Sequence, residues 1–155
     1  MKPLYIFDLD GTLALIEHRR RFVERPRKER DWSGFYAACV DDEPNYPVIM
    51  VMESLIDTGA EIWIFSGRSD EVRAQTVQWL QHHTSLRSHE LAGPILTMRT
   101  AGDYTPDDVL KRGWLDSMLA EDRDRLYCVF DDRDRVVAMW RAAGVTCFQV
   151  AAGEF

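Results

Sequence analysis

The 155-residue sequence predicts an α/β domain, a mainly parallel sheet of about five strands with helices on both faces and a small insertion after the first strand. Three observations predict it. Short apolar runs alternate with stretches of helical periodicity. Acids, a serine and glycines gather where those runs end. The length suits one sizeable core plus a small insertion, so residues 1–155 are expected to form a single domain.

The elements follow in order. Leu4 to Leu9 (LYIFDL) is a short apolar run, read as a buried strand. Residues 14–46 then interrupt the alternation and are too long for a plain loop. Within them, Trp32 to Val40 (WSGFYAACV) predicts a short helix with an aromatic face, so the segment reads as a small cap. Pro47 suits the first turn of a helix. Val48, Val51, Met52 and Leu55 recur at helical spacing, and Gly59 stands where a C-terminal cap belongs. Glu61 to Phe65 (EIWIF) is the second strand. Ser69 can cap a helix through about His83, with Val72, Thr76, Trp79 and Leu80 on one face. Ile95 to Met98 is the third strand. Thr105, Pro106, Asp107 and Asp108 read as an N-cap, a first-turn proline and an acidic first turn. Leu110, Trp114 and Met118 line the helix they open. Leu126 to Phe130 (LYCVF) is the fourth strand, a helix runs from about Arg133 to Gly144, and Val145 to Val150 is the fifth.

Composition narrows the function classes. With 46% hydrophobic and 29% charged residues, disorder as the main state is excluded. No apolar run approaches the roughly 20 residues of a membrane span, and the N-terminus does not read as a signal peptide. The odd set Cys39, Cys128 and Cys147 lacks metal-type spacing and reads as buried, reduced thiols of a cytoplasmic protein. The net charge of -7 is unevenly spread. His18 to Arg30 (HRRRFVERPRKER) holds seven of the chain's 19 Lys and Arg but only two of its 26 acids. An acidic protein with one basic block points to a local anion-binding surface, although a solvated helix face needs no function at all.

Four groups of residues fall at predicted strand ends or on the following helix. Ligands of parallel α/β sheets bind beyond the carboxyl ends of the strands. Asp8-Leu9-Asp10-Gly11-Thr12 can place two carboxylates over one small site after a flexible turn. Ser66-Gly67-Arg68 offers a hydroxyl, a close-approach glycine and a guanidinium, a set that suits a phosphoryl group. Lys111 lies one turn into the helix opened by Pro106. Asp131-Asp132-Arg133 ends the fourth strand with two adjacent acids, hard oxygen ligands that together with Asp8 suit Mg²⁺. Taken singly, the paired acids after the first strand read equally well as a turn, while Ser66-Gly67-Arg68 reads better as a strand-to-helix turn and Lys111 as a solvated surface charge.

The set, in this order, resembles the four motifs of the haloacid dehalogenase superfamily of phosphatases, beginning with DLDGTL. The resemblance covers nearly the whole chain outside 14–46 and implies a Rossmann-like core. It implies that Asp8 is the nucleophile and Asp10 a general acid and base that also lends its main-chain carbonyl to Mg²⁺. Ser66 and Lys111 would hold the phosphoryl group, and Asp131 and Asp132 would bind the metal, one of them directly and the other through water or by holding Arg68. The run DDRDRVVAMWRAAGVTCFQVAAGEF, the SGR string and DDVLK are similar to the phosphatase domain of phage polynucleotide kinase-phosphatases, which removes 3′-phosphates from nucleic-acid ends. That likeness adds Arg68 and Asp107 to the active site. The Gly-rich phosphate loop of that family's kinase is not found here, so kinase activity is not expected.

Thr12, Gly67 and the basic residues Arg19, Arg20 and Arg21 are the expected substrate contacts. The substrate class is then phosphorylated nucleic-acid ends or nucleotides, with no membrane and no obligate protein partner. A nucleotide or metabolite phosphatase with the same chemistry is the alternative, and a non-catalytic nucleic-acid-binding module a more distant one. Asp10 must be protonated in one step and ionised in the next, so its pKa is expected above that of a free Asp.

Overall fold

The computed structural model describes residues 1–91, 93 and 95–154. Strand β1 (Leu4–Phe7) lies at the centre of a five-stranded parallel sheet. Its neighbours are β4 (Glu61–Ser69) and β6 (Leu126–Asp131), with β5 (Leu96–Arg99) and β7 (Cys147–Gln149) at the edges, in the order β5-β4-β1-β6-β7. Leu4, Ile6 and Phe7 are fully buried, which explains why this strand reads as a continuous apolar run rather than an alternating one.

Two cores cover the two faces. On one face α2 (Tyr46–Asp57) and α3 (Arg73–His83) bring Ile49, Met52, Trp79 and Leu80 onto Phe7, Ile62 and Ile64. On the other, α5 (Asp107–Ser117) and α7 (Asp134–Ala142) bring Leu115, Val137 and Trp140 onto Ile6, Trp63, Phe65 and Val129. Short helices α4 (Ser88–Leu91) and α6 (Ala120–Asp124) fill connections. The chain winds outward from β1 through β4 to β5, then returns to β6 on the other side of β1. The gap between the ends of β1 and β6 is therefore the topological switch point.

The insertion is closed at its base by a pairing too short to register as a strand pattern. Strand β2 (Ala14–Leu15) pairs antiparallel with β3 (Glu43–Pro44). Between them lie a 3₁₀ helix (Glu17–Phe22), a 3₁₀ turn (Arg27–Glu29), helix α1 (Trp32–Ala37) and a final 3₁₀ turn (Ala38–Asp41). The expected aromatic helix is thus α1 plus the turn after it. Asp31 caps α1 by accepting from Gly34 N at 2.8 Å. One predicted cap differs. Thr105 Oγ1 donates to Asp103 Oδ1 at 2.6 Å, and Pro106 occupies the N-cap position of α5. Gly59 and Gly144 end α2 and α7 with positive φ, as their positions predict. Cys39, Cys128 and Cys147 are free and buried. Among the described residues no helix is long and apolar enough to cross a membrane.

Candidate active site

The ends of β1 and β6 bring three buried carboxylates together. Asp8, Asp131 and Asp132 each place an oxygen within 4.8 Å of the others. Lys111, 2% exposed on α5, reaches across from the second core and donates to Asp8 Oδ1 at 2.6 Å and Asp131 Oδ2 at 2.7 Å. Asp131 Oδ1 accepts from the backbone N–H groups of Asp132 and Arg133, so both its oxygens are engaged. Burial, with Asp131 and Asp132 nearby, raises the Asp8 pKa well above its usual range despite the Lys111 ammonium. Burial and the neighbouring Asp131 carboxylate push Asp132 up to about 6. Three acids around one ammonium leave an excess of negative charge that a divalent cation would neutralise. The donor set, all carboxylate oxygen, fits Mg²⁺.

Two glycines permit this crowding. A Cβ at Gly11, where φ is +84°, would lie 2.1 Å from Asp132 Oδ2, and one at Gly153 would lie 2.2 Å from the Asp132 carbonyl oxygen. The C-terminal segment further braces the acid loop. Gly153 O accepts from Asp134 N at 2.8 Å, and Gln149 Nε2 donates to Asp132 O at 3.0 Å.

A second ionic cluster joins the core to the insertion. Asp42 and Arg19, 3% and 0% exposed, form a two-pronged pair, Nε to Oδ1 and Nη2 to Oδ2, both at 2.7 Å. Arg19 Nη2 also donates to Asp10 Oδ1 at 2.6 Å, and its guanidinium stacks 4.4 Å over the Phe35 ring. Arg68 completes the cluster, with Nη2 donating to Asp10 Oδ1 at 2.5 Å and to Asp42 Oδ2 at 3.0 Å. Thr76 Oγ1 accepts from Arg68 Nη1, and His18 Nε2 lies 2.8 Å from Asp42 Oδ1. Burial would raise the Asp10 pKa, but the charges and hydrogen bonds of Arg68 and Arg19 outweigh it and hold the carboxyl well below its ordinary range. The expected elevation of Asp10 is therefore corrected: in the free protein two guanidiniums keep it ionised.

The model for the phosphatase domain of polynucleotide kinase (PNKP) matches residues 2–155. The chain belongs to that family. It is a phosphatase domain of the haloacid dehalogenase superfamily. A protein of Autographa californica nuclear polyhedrosis virus, named as a bifunctional polynucleotide kinase/RNA ligase, is 29% identical over 135 residues. The match covers 86% of this chain and 17% of that protein. A chain of the Pnkp1/Rnl/Hen1 RNA repair complex superposes with a TM-score of 0.75 at 29% identity, covering 99% of this chain and 44% of that one. CbbY from Rhodobacter sphaeroides, solved with phosphate, superposes with a TM-score of 0.59 over all of this chain and 88% of its own, and at 16% identity shares the fold alone. The phosphatase thus spans less than half the length of the first two relatives.

Both clusters open into a cavity of about 850 Å³ between core and insertion. Asp8, Asp10, Gly67, Arg68, Asp107, Lys111, Asp131 and Asp132 line it. Other predicted residues are placed differently. Thr12 is fully buried behind the acids, with Oγ1 donating toward Asp8 Oδ2 and Asp132 Oδ1, each at 3.3 Å, and does not line the cavity. Ser66 is likewise fully buried, its Oγ accepting from Arg68 N at 3.2 Å. Arg19 is not a solvated cap residue but the centre of the second cluster. Arg20 lines the cavity and pairs with Glu24 and Glu17. Arg21 is exposed away from the cavity, its guanidinium 5.1 Å from the Phe22 ring centre. Asp107 does not hold Arg68 or Lys111 by a hydrogen bond. It bridges Arg99 and Arg133. Neither Asp131 nor Asp132 takes the role of holding Arg68, whose carboxylate partners are Asp10 and Asp42.

Sequence reasoning missed Asp42, Arg99 and Gly153. Asp42 sits in a polar DDE string that reads as a loop. Arg99 follows a strand and donates to Gly67 O, Asp103 O, Thr105 O and Asp107, tying the second motif to the start of α5. The signal for Arg99 was available, since an Arg at the tip of a predicted strand faces the ligand side of the sheet.

Proposed function

We propose that this phosphatase is an Mg²⁺-dependent phosphomonoesterase that works through an aspartyl-phosphate and removes 3′-phosphates from DNA or RNA ends. The observation that carries the reading is the Asp8 carboxylate at the switch point, held by Lys111 at 2.6 Å and facing the cavity beside Asp131 and Asp132. Family membership and the RNA repair complex among the similar structures support the polynucleotide substrate.

Asp8, Asp131, Asp132 and the Asp10 main-chain carbonyl would hold Mg²⁺, which when bound supplies positive charge to the phosphoryl oxygens. Asp8 attacks phosphorus and the bond to the sugar oxygen breaks. Lys111 and Arg68 cancel the repulsion between carboxylate and phosphate. The arriving phosphate competes with Asp10 for the Arg68 guanidinium, which weakens the pull that keeps Asp10 ionised. Asp10 then takes up a proton and gives it to the leaving oxygen. Once ionised, it accepts a proton from the water that hydrolyses the aspartyl-phosphate, and inorganic phosphate leaves.

The deciding experiment is a phosphate-release panel with 3′-phosphorylated strands, 5′-phosphorylated strands and mononucleotides, with Mg²⁺ and with EDTA. The expected result is Mg²⁺-dependent release with the highest kcat/KM on 3′-phosphorylated strands. A higher kcat/KM on mononucleotides transfers the chain to the nucleotidases, and full activity in EDTA overturns the metal.

A further inference from the structure

The cavity has an outer part that the chemistry above does not use. Its inner cations, Lys111 and Arg68, are both engaged by carboxylates. On the core side of the mouth stands Tyr104. It is 83% exposed, more than any large hydrophobic side chain but Met1 among the described residues. Its loop is nevertheless tied down on both sides of it. Arg99 Nη1 donates to Asp103 O at 3.1 Å and to Thr105 O at 2.5 Å. Thr105 N donates to Asp103 Oδ1 at 2.9 Å, and Asp103 N to Thr100 O at 3.0 Å. Ala101 N donates to Asp70 Oδ1 at 2.9 Å, which fixes the loop to the start of α3's approach.

An aromatic ring held out into water on a pinned loop, lining the cavity that holds Asp8 and Lys111, is a stacking platform whose ordering cost is already largely met. Arg135, in the first turn of α7, also lines the mouth and has no carboxylate partner among the described residues. On the insertion side Trp32, 39% exposed, lines the same cavity. Exposed aromatic rings and a guanidinium without a carboxylate partner, lining one cavity, match a base and a phosphodiester, the two parts a single strand presents next to its 3′-phosphate.

We infer that Tyr104 stacks on a base of the last two nucleotides of a single-stranded substrate, while Arg135 takes the phosphodiester beside it. This rests on the nucleic-acid reading above and deepens it, because a strand gripped by its unpaired base must be frayed or single at that end. The core itself, and not the basic insertion alone, then selects a polynucleotide.

The test is steady-state kinetics on a short 3′-phosphorylated single strand, intact or abasic at either of its last two positions. Base removal at one of them is expected to raise the wild-type KM by roughly 5- to 100-fold. Tyr104→Ala should raise KM on the intact strand by the same factor, and base removal should then cost nothing more. Tyr104→Phe should restore the wild-type KM, because stacking does not need the hydroxyl. Arg135→Gln should flatten the log-log dependence of affinity on salt by roughly 0.7. Tyr127→Ala, a change at another exposed tyrosine near the start of β6, serves as the control and should leave KM alone. An unchanged KM in Tyr104→Ala, or equal base-removal costs in wild type and variant, overturns the inference while leaving the 3′-phosphatase reading intact. Failure of the wild type to release phosphate from any 3′-phosphorylated strand removes both.

Discussion

Asp8, Asp131 and Asp132 crowd three carboxylates around one ammonium, whereas Asp10 and Asp42 share two guanidiniums. Both clusters are built of ions at the same end of one sheet, yet the first carries an excess of negative charge and the second is balanced. The first is incomplete as it stands: burial and mutual repulsion raise the proton affinity of Asp8 and Asp132 until a proton or a cation arrives. The second is complete without a ligand and locks the insertion to the core. Removing a carboxylate from each should therefore do opposite things to stability.

The largest expected effect tests the first cluster. Asp8→Asn should lower phosphate release by at least roughly 10⁴-fold, as loss of a nucleophile does. The metal-free protein should be no less stable for it, because one repelling charge has gone and Lys111 keeps Asp131. Asp42→Ala is the counterpart. It leaves Arg19 and Arg68 in a buried site with Asp10 as their remaining carboxylate partner, and breaking such pairs costs about 3–5 kcal/mol, or roughly 10 °C in Tm for a domain of this size. Thermal melts of the two variants in EDTA decide the comparison. Equal losses of Tm would mean that the charge imbalance has no energetic weight.

A smaller effect separates the clusters by pH. The Asp132 carboxyl titrates near 6 in the folded protein, against an ordinary 3.8, and Asp8 is shifted in the same direction. The folded state holds protons there that the unfolded chain releases, so this cluster's contribution to stability falls as pH rises from about 4 to about 6. Asp10 is shifted the other way. Its stabilising contribution is present above the ordinary carboxylate range and is lost only as pH falls below it. The difference in metal-free Tm between wild type and Asp132→Asn isolates the first cluster, and should turn increasingly against the wild type between pH 4 and 6. Mg²⁺ at about 100 times its Kd should add about 2.7 kcal/mol above that window and far less at pH 4. A Mg²⁺ shift of the same size at both pH values would break the assignment of the cation to these carboxylates.

The same contrast separates what was legible in the sequence from what was not. The first cluster was readable because its acids follow apolar strands, and the α/β alternation dictates that such ends meet at one edge of the sheet. Lys111 came through the family resemblance and then proved buried, 2% exposed. The second cluster was not readable. In HRRRFVERPRKER nothing local distinguishes Arg19, which is fully buried, from Arg21, which is exposed. Their difference is made by Asp42, 23 residues from Arg19 and brought back by the two-residue pairing of β2 with β3. The inverted expectation for Asp10 follows from the same blindness, since its pKa depends on an arginine whose burial the sequence does not display.

The smallest expected effect concerns the rest of the basic block. Arg25 and Arg30 line the cavity and have no carboxylate partner among the described residues, whereas Arg27 and Lys28 do not line it. Arg25 Nε donates to Arg21 O at 2.7 Å and Arg30 Nε to Arg25 O at 3.1 Å, so each guanidinium is anchored to backbone at one nitrogen and keeps others for a phosphate. If both meet the strand upstream of the scissile phosphate, each contributes roughly -0.7 to the log-log slope of affinity against salt. Arg25→Ala with Arg30→Ala should then flatten that slope by about 1.4 on a 3′-phosphorylated strand, taking roughly 0.7 for each. Arg27→Ala with Lys28→Ala removes the same charge from the same insertion and should change the slope much less. Turnover of para-nitrophenyl phosphate, which has no upstream phosphate, should show little salt dependence in the wild type. Equal flattening by the two pairs would mean that the block acts only through its diffuse field. No flattening by either would confine strand recognition to the core side of the cavity, with Tyr104 and Arg135.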